Sequence, residues 1–370
     1  MNIKTITCHN VYNYGASLQA YALQHYLESL GNDVEIIDFM PWFLKRRYNL
    51  WEAKDGKFGS LCKVFPPIRL LAPIRNRLRY KTWGRKAKFD TFTKKYLRLT
   101  SRYSTSIELQ ANPPSADIYI AGSDQIWNPE LPNGREPAYY LDFGSAKKIS
   151  YAASFGVSSI EEQYQPFVKQ ELCNFDHITV RERTAISILQ KFGINNANQV
   201  VDPVFLLNAE QWMELGSKAI DYGLPKDKYI LIYDFFGDER IAEFTAKLKR
   251  KTGYEIVSLN DYNPRSYVDR NINDAGPLEF ISLMANAAFV VSSSFHGSVF
   301  SLIFHKQFYV YSLKGSGSSS RMKDLMASLD IIERYNATEQ KDAIDYNVVD
   351  EKLINLIGKS KNILLECLKQ

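Results

Sequence analysis

Cysteine is scarce in this sequence and is not arranged as a metal site or a disulfide framework. The 370 residues contain four cysteines, none of which belongs to a CxxC pair: Cys8, Cys62, Cys173 and Cys367. A zinc ribbon and a small disulfide-stapled secreted fold are therefore excluded. So few and so widely spaced thiols are typical of a reducing compartment, and we expect a cytoplasmic protein.

Long hydrophobic runs and several common catalytic motifs are also missing. No stretch of about 18 uninterrupted apolar residues occurs, and the start, MNIKTITCHN, has no apolar core followed by a small-residue cleavage site. We therefore expect neither a membrane-spanning helix nor export through a signal peptide. HExxH, a Walker A sequence and GxGxxG are absent, which argues against zinc-dependent hydrolysis and P-loop phosphoryl transfer.

Glycine and proline are few enough, and apolar residues numerous enough, for a folded globular chain. Gly and Pro count 19 and 14, and hydrophobic residues make up 45 %. This composition can bury hydrophobic cores and is not typical of disorder. Because the length is about twice that of an ordinary domain, two domains are expected. GSGSSS at 315–320 is a polar loop that either closes over a ligand or connects two elements.

Acidic residues are nearly absent from one segment. Residues 43–98 hold 17 Lys or Arg against three acids, whereas the formal net charge of the whole chain is only +5. In this basic segment the cations alternate with Trp, Phe, Tyr, Leu and Ile. Three interpretations remain open: a solvated helical face whose long side chains cover apolar surface, contact with anionic lipid headgroups, and binding to nucleic acid, which the aromatic residues favour least.

Strand-like apolar runs alternate with segments of helical period. IKTITC and DVEIIDF flank ASLQAYALQHYLESLG, in which Ala20, Leu23 and Leu27 recur at helical spacing. The alternation continues through ADIYIAG and HITVR and restarts with KYILIYDFF, YEIVSL and AFVVSSS. The pattern predicts two open α/β domains, residues 1–207 with the basic segment and residues 208–370, with ligands bound between them. The last helix is free to pack on either domain.

Polar residues follow the predicted strands, where open α/β sheets bind their ligands. The first strand leads into Asn13 and Gly15, which either contact an anion or a sugar hydroxyl or simply form a turn. IYIAGSDQIWNP brings four further candidates: Ser123, Asp124, Gln125 and Trp127. Asp124 is suited to orienting a sugar hydroxyl and Trp127 to stacking on a pyranose ring. In the alternative, Asp124 caps a helix and Trp127 lies in the core.

Cations and a histidine follow the later strands. Arg181, in HITVRERT, is suited to a carboxylate or phosphate, unless it pairs with Glu182 or an interdomain acid. Arg321 follows the polar loop at the predicted start of a helix, an arrangement that captures anions. Asp202 is predicted to end a strand at the domain crossover. The sharpest candidates pass from a strand into a helix in SSSFHG: Ser293, Ser294, His296 and Gly297.

The set of motifs resembles the polysaccharide pyruvyl transferase family. NYGASLQAYAL, AGSDQIWNP, ISYAASFG, ITVRERT, VVDPVFLL, SSFHGSVFSLIFHKQF and SSSRMKDL occur in the family's order and cover most of the chain. The resemblance implies an α/β fold of two Rossmann-like domains facing a central cleft, as in GT-B transferases. It also implies transfer of a pyruvyl group from phosphoenolpyruvate to sugar hydroxyls as a ketal, in the biosynthesis of a cell-surface polysaccharide such as a capsule or exopolysaccharide.

This resemblance implies residue roles and a co-substrate. His296 is the expected general acid, and Asp124 is expected to assist deprotonation of the acceptor. Donor binding is expected from Arg181, Ser293, Ser294, Gly297 and Arg321. Acceptor binding is expected from Asn13, Gly15, Ser123, Gln125 and Trp127. We expect no cofactor besides the co-substrate phosphoenolpyruvate, and no metal, although Asp124 and Asp202 would contribute to a metal site if the fold brought them together.

The same resemblance gives the basic segment a role. The acceptor is expected to be a sugar or oligosaccharide linked to a polyprenyl diphosphate, which places the enzyme peripherally on the inner membrane face through residues 43–98. Nucleic acid is not an expected partner.

One departure from the family concerns the donor. Many relatives carry an Arg two residues before the matching histidine, whereas this chain has Ser294-Phe295-His296. Either Arg181 or Arg321 supplies the missing cation, or the donor differs from phosphoenolpyruvate. Two rival functions stay open at this point: a GT-B glycosyltransferase that uses a nucleotide sugar, and a non-catalytic sugar- or nucleic-acid-binding protein.

Overall fold

The fold is built on two parallel five-stranded sheets, one in each half of the chain. The computed structural model describes residues 1–44, 61, 64–82, 84–260, 264–313 and 320–369. In both sheets the first strand of that half lies at the centre, and later strands add on either side of it. This is the doubly wound arrangement, so the α/β fold predicted from the sequence is confirmed.

The first sheet has the strand order β3-β2-β1-β4-β5. Strands β6 and β7 form a separate parallel pair, and a bridge between Ala153 and Val180 sets β6 beside the end of β5. The elements of this half are, in chain order, β1 (Asn2–Ile6), α1 (Tyr14–Ser29), β2 (Asp33–Phe39), α2 (Ala72–Thr82), α3 (Arg85–Tyr96), β3 (Leu99–Tyr103), α4 (Ser106–Ala111), β4 (Ile118–Ala121), β5 (Lys147–Ser150), α5 (Gln165–Leu172), β6 (Thr179–Val180), α6 (Arg183–Lys191) and β7 (Asn198–Gln199).

The second sheet repeats the same topology with the order β10-β9-β8-β11-β12. Its central strand β8, YILIY, is buried along its whole length, as expected of a parallel strand covered by helices on both faces. The elements of this half are α7 (Ala209–Gly216), β8 (Tyr229–Tyr233), α8 (Glu239–Thr252), β9 (Glu255–Leu259), β10 (Arg270–Ile272), α9 (Pro277–Asn286), β11 (Phe289–Ser292), α10 (Phe295–Ile303), β12 (Gln307–Val310), α11 (Ser320–Ser328) and α12 (Tyr346–Lys369).

Local sequence explains where the helices begin and end. The side chain of Asn13 accepts a hydrogen bond from the Ala16 N–H at 3.2 Å, so the asparagine-rich turn caps α1. Asp238 caps α8 in the same way, and Gly253 ends that helix with a φ of 71°. The helices therefore start at the carboxyl ends of the strands, which turns their free N–H groups toward one edge of each sheet.

The basic segment divides into two structurally different parts, while residues 45–60 lie outside the described residues. Helix α3 buries Phe89 and Phe92, each 1 % exposed, in the core below the first sheet. The stretch before it leaves its large apolar side chains at the surface, with exposed fractions from 54 % to 69 %: Val64, Phe65, Leu70, Leu71, Ile74 and Leu78. Within the described residues of the basic segment, this earlier part is the one that presents cations and large apolar groups together at the surface.

The two halves contact each other through several side chains. The Tyr14 hydroxyl donates to the Ala275 carbonyl at 3.1 Å, and Lys88 lies 3.1 Å from Asp274. Helix α12 contacts the first half, because Ser360 accepts from the Val201 N–H and Lys147 donates to the Cys367 carbonyl.

The predicted boundary at 207 falls between the sheets, and most of the predicted polar loop, residues 314–319, lies outside the described residues. None of the described helices is long and apolar enough to span a membrane.

Candidate active site

The polar residues singled out in the sequence converge where the two sheets face each other. Asp124 follows β4 and Arg181 follows β6 directly, while Asp202 caps the short 3₁₀ turn after β7. His296 is the second residue of α10 and Arg321 the second residue of α11. Their side chains come together because the bridges from Asp124 to Ala153 and from Ala153 to Val180 set the β6–β7 pair beside the loop after β4, and α10 and α11 of the second half begin at the same place.

Arg181 is the centre of this cluster. Its side chain is 2 % exposed, and Nη1 donates to Asp202 Oδ2 at 2.6 Å, while Nη2 lies 3.3 Å from Asp124 Oδ1. The acid that follows Arg181 in sequence is not its partner. Glu182 instead accepts from the Ser154 hydroxyl and from the Phe155 and Gly156 N–H groups through Oε1. Neither of the two partners considered from the sequence is observed, because Asp124 and Asp202 both lie in the same half of the chain as Arg181.

His296 stands beside the same acid. Its Nε2 lies 3.5 Å from Asp202 Oδ2, and the ring is 8 % exposed. On the other side the ring packs against Gly15, where a Cβ atom would lie 2.0 Å from His296 Nδ1. Gly15 is thus required by the close approach of α1 to the imidazole, and its role is to make room for His296. Gly297 has a similar role, since a Cβ there would meet the Ser292 hydroxyl at 2.3 Å.

Arg321 completes the cluster from the second half of the chain. Its side chain is 7 % exposed, and Nη1 lies 4.0 Å from Asp124 Oδ1. The guanidinium groups of Arg181 and Arg321 lie over the Phe295 ring, 4.6 and 5.6 Å from its centroid. Two cations on one aromatic ring repel each other. Burial, together with the charge of Arg181, accordingly lowers the pKa of Arg321 to about 10.

The carboxylates compensate for this concentration of positive charge. Burial alone would raise the pKa of Asp202, but His296 and Arg181 outweigh burial and hold that pKa far below its usual range. The pKa of Asp124 is also lowered: burial opposes the shift, and the charges of Arg181, His296 and Arg321 produce it. Both acids are ionised at neutral pH and hold the cations in place.

Two cavities adjoin the cluster. One of about 130 Å³ is lined by seven of the residues predicted from the sequence: Asn13, Asp124, Gln125, Ser293, Ser294, His296 and Arg321. The other, of about 180 Å³, is lined by Arg181 and Asp202. Phe295 and Arg321 line both cavities and separate them. The Nε atoms of Arg181 and Arg321 are buried and have no hydrogen-bond partner. Each guanidinium group therefore retains an N–H donor for a ligand.

Three predicted acceptor residues line neither cavity: Gly15, which lies against the His296 ring, Ser123 and Trp127. Trp127 is fully buried, donates its indole N–H to the Tyr139 carbonyl at 3.0 Å and stacks on Tyr140. No face of its ring is left for a pyranose, so the alternative interpretation as a core residue is the correct one. Ser123 is also fully buried, and its hydroxyl donates to the Ala152 carbonyl. Trp127 and Ser123 both support the loop that carries Asp124.

Two residues of the site have roles that the sequence does not predict. Asp202 is predicted to end a strand, or to contribute with Asp124 to a metal site, and instead contacts both Arg181 and His296. No role is predicted for Phe295, yet both arginines lie over its ring. The aspartate of VVDPVFLL, held rigid before a proline, was the available signal for Asp202. Among the described residues no group of three potential metal-binding side chains comes together.

Comparison with known proteins agrees with this architecture. UDP-GlcNAc 2-epimerase from Neisseria meningitidis superposes with a TM-score of 0.51 at 12 % identity, covering 100 % of this chain and 99 % of that one. A putative UDP-N-acetylglucosamine 2-epimerase from Listeria monocytogenes gives 0.50 at 9 % identity, covering 98 % and 89 %. The chain therefore shares the GT-B fold of two Rossmann-like domains.

The family assignment comes from the sequence. No functionally curated protein matches the chain significantly. The family profile named polysaccharide pyruvyl transferase matches residues 13–315, a range that includes Asn13, Asp124, Arg181, Asp202 and His296. The chain belongs to the polysaccharide pyruvyl transferase family.

Proposed function

We propose that the protein transfers the pyruvyl group of phosphoenolpyruvate to two hydroxyls of a sugar, forming a ketal and releasing phosphate. The observation that carries this proposal is the pair of buried guanidinium groups, Arg181 and Arg321, over one Phe295 ring, with Asp202 in contact with both Arg181 and His296. Phosphoenolpyruvate carries a phosphate and a carboxylate, and two cations with unused donors suit both.

Donor binding would relieve a repulsion that is built into the site. The lowered pKa of Arg321 reflects burial and the like charge of Arg181. A multiply charged anion bound between the two guanidinium groups offsets both effects. This gives a physical reason why the chain functions with Ser294 at the position where relatives carry Arg: the cation is supplied instead by Arg321, which lines the same cavity as Ser294.

The chemistry requires one proton to be donated and two hydroxyl protons to be removed. Protonation of carbon 3 generates a cationic centre at carbon 2, the two sugar oxygens bond to carbon 2, and the bond from carbon 2 to the phosphate oxygen breaks. We assign the donated proton to His296, whose Nε2 lies 3.5 Å from Oδ2 of Asp202. Asp124 lines the same cavity as an ionised carboxylate and is assigned the first hydroxyl proton; the second leaves with phosphate.

The membrane role proposed for the basic segment rests on its surface. The exposed apolar side chains around 64–78 lie beside Arg75 and Arg77, which is the composition of an interfacial helix. We propose that this surface docks on anionic lipid at the inner face of the cytoplasmic membrane and that the acceptor sugar is linked there to a polyprenyl diphosphate.

The first test is ligand binding followed by thermal unfolding, with and without a divalent metal ion. Phosphoenolpyruvate should raise the melting temperature, since a ligand at 100 times its dissociation constant adds about 2.7 kcal/mol. Stabilisation by UDP-sugars alone would replace pyruvyl transfer with glycosyl transfer.

In turnover assays Arg321→Ala should raise the KM for phosphoenolpyruvate about tenfold or more. Arg250→Ala, an exposed arginine on α8, is the control; equal KM values in both variants would remove Arg321 from the donor site.

A further inference from the structure

A third cavity suggests which kind of sugar is accepted. It has a volume of about 220 Å³, lies between the two halves of the chain and shares Asn13 and Phe235 with the cavity that contains His296 and Asp124. We propose that this interdomain cleft binds the acceptor and that the acceptor is an anionic saccharide, bearing a phosphate or a carboxylate. This inference rests on the proposed function, because it assumes that the reaction is pyruvyl transfer. The proposed acceptor cleft is separate from the donor site at Arg181 and Arg321.

Arg265 provides the first argument for an anionic ligand. Its side chain is 10 % exposed and lines the cleft. Nη2 donates to the Asp234 carbonyl at 2.9 Å, while Nε is buried and has no hydrogen-bond partner. A buried, charged donor without a partner is costly, and a ligand oxygen would satisfy it.

The charge balance of the cleft provides the second argument. The charged side chains among the described residues that line the cleft are Arg85, Arg265 and Asp234, and Nη2 of Arg265 lies 3.8 Å from Oδ2 of Asp234. The oxygens of Asp234 are already engaged: Oδ1 accepts from the Ser293 hydroxyl at 2.9 Å, and Oδ2 accepts from the Asp238 N–H at 2.8 Å. Asp234 thereby organises the turn after β8, and the described lining residues carry one more positive charge than negative charge, which favours an anion.

The remaining lining residues favour a saccharide over a simple anion. Oδ1 of Asn260 is buried without a partner, although its Nδ2 donates to Asn271 Oδ1 at 2.7 Å. This oxygen is an acceptor for a hydroxyl donor. Phe236 is 77 % exposed and Phe235 is 38 % exposed, so two aromatic rings are available at the surface for the apolar face of a sugar ring. Hydroxyl, aromatic and anion contacts thus lie within one cleft.

The position of the cleft also suits a membrane-linked acceptor. Arg85 is the first residue of α3, and α2, whose Ile74 and Leu78 are exposed, ends at Thr82. A sugar whose anionic group contacts Arg85 and Arg265 would therefore extend one of its ends into the cavity that contains Asp124 and His296. Its link to a lipid carrier would leave the cleft toward the exposed surface of α2.

The test measures saccharide binding by calorimetry in the absence of phosphoenolpyruvate. The probes are N-acetylglucosamine 1-phosphate, glucuronic acid, neutral N-acetylglucosamine and inorganic phosphate. Either anionic sugar should bind at least about tenfold more tightly than the neutral sugar, a difference of about 1.4 kcal/mol; the tighter of the two identifies phosphate or carboxylate as the recognised group. Equal affinity for neutral and anionic sugars would overturn the charge argument. Inorganic phosphate that binds as tightly as the sugar phosphate and loses this affinity in Arg265→Gln would overturn the saccharide argument, because phosphate held at the donor site does not depend on Arg265.

Two variants locate the binding. Arg265→Gln should abolish the preference for the anionic sugar, whereas Arg250→Gln, which removes an exposed arginine of α8, should keep it. Phe236→Ala, at an exposed position that tolerates truncation, should weaken neutral and anionic sugars by a similar factor. Unchanged binding in both Arg265→Gln and Phe236→Ala would refute the site. These titrations contain no donor, so they test the acceptor site alone. Failure of phosphoenolpyruvate to bind the wild type in the thermal unfolding experiment would instead refute the proposed reaction.

Discussion

Nη1 of Arg181 donates a 2.6 Å hydrogen bond to Oδ2 of Asp202, 21 positions later in the chain. The same oxygen lies 3.5 Å from Nε2 of His296. One buried carboxylate therefore fixes the position of a donor-binding cation and of the proposed general acid. Since Arg181 and Asp202 follow the two strands of the β6–β7 pair and His296 lies on α10, the site depends on correct packing of that pair against α10.

The first prediction concerns the removal of this charge. Asp202→Asn should lower kcat by about 10²–10⁴-fold, the range expected for loss of general acid catalysis. The substitution removes the carboxylate charge that orients the His296 ring. It should also destabilise the fold by about 3–5 kcal/mol, because Arg181 is left as an incompletely compensated buried charge. Asp330→Asn, at a side chain 76 % exposed, serves as the control. A kcat within twofold of the wild type for Asp202→Asn would contradict the assigned role.

The second prediction is a dependence of stability on pH. The pKa of Asp202 is lower in the folded chain than the ordinary value of about 3.9, mainly because His296 and Arg181 outweigh burial. The stabilisation is therefore fully present above about pH 4 and is lost as the pH falls through the lowered pKa. Urea unfolding between pH 7 and pH 3 should show a steeper loss of unfolding free energy for the wild type than for Asp202→Asn. Parallel curves would show that Asp202 is not coupled to its cationic neighbours.

The third prediction concerns the glycine beneath the histidine. Gly15→Ala places a Cβ atom 2.0 Å from Nδ1 of His296, so the ring must move. A displacement of this kind should lower kcat about 10²-fold. Gly358→Ala is the matched control, since no atom lies within 4 Å of its added Cβ in α12, and it should stabilise the protein by about 0.4–1 kcal/mol. Normal turnover by Gly15→Ala would show that His296 can shift without consequence.

Much of the site could be predicted because strand ends impose proximity. In an open parallel sheet the residues that follow the strands lie at the ligand-binding edge, so Asp124, Arg181 and His296 could each be predicted to face the cleft between the domains. That they meet in one cluster depends on how the separate β6–β7 pair and the second sheet pack against the first sheet. The ion pair with Asp202 could not be predicted, because it depends on where the turn after β7 places a side chain. The burial of Trp127 could not be predicted either. An aromatic residue that follows a strand is equally suited to stacking on a sugar ring and to packing in the core.

The fourth prediction tests this last point at Trp127. Because its ring is fully buried and stacks on Tyr140, Trp127→Ala should cost about 3–5 kcal/mol of unfolding free energy. Trp127→Phe should lower the melting temperature less and leave the KM for the acceptor unchanged. Phe236→Ala provides the contrast, since the exposed ring of Phe236 should affect acceptor binding with little effect on stability. An acceptor KM raised by Trp127→Phe at unchanged stability would restore the sugar-platform interpretation.

The fifth prediction separates charge from apolar insertion at the membrane. Substituting Arg75 and Arg77 by Glu should reduce flotation with anionic vesicles at least about tenfold, because each cation near such a surface contributes about 1 kcal/mol. The same variant should leave the weaker binding to neutral vesicles unaltered. Substituting Ile74 and Leu78, which are 62 % and 63 % exposed, by Ser should weaken binding to both kinds of vesicle.

Ile354→Ser is the control for apolar truncation, because Ile354 is 66 % exposed on α12 and lies far along the chain from the basic segment. It should float like the wild type, since it leaves the lipid-binding surface intact. If the wild type does not float with anionic vesicles, or if Ile354→Ser weakens flotation as much as the Ile74 and Leu78 substitutions do, the segment is a solvated helical face. In that case its cations maintain solubility and the acceptor reaches the cleft without membrane docking.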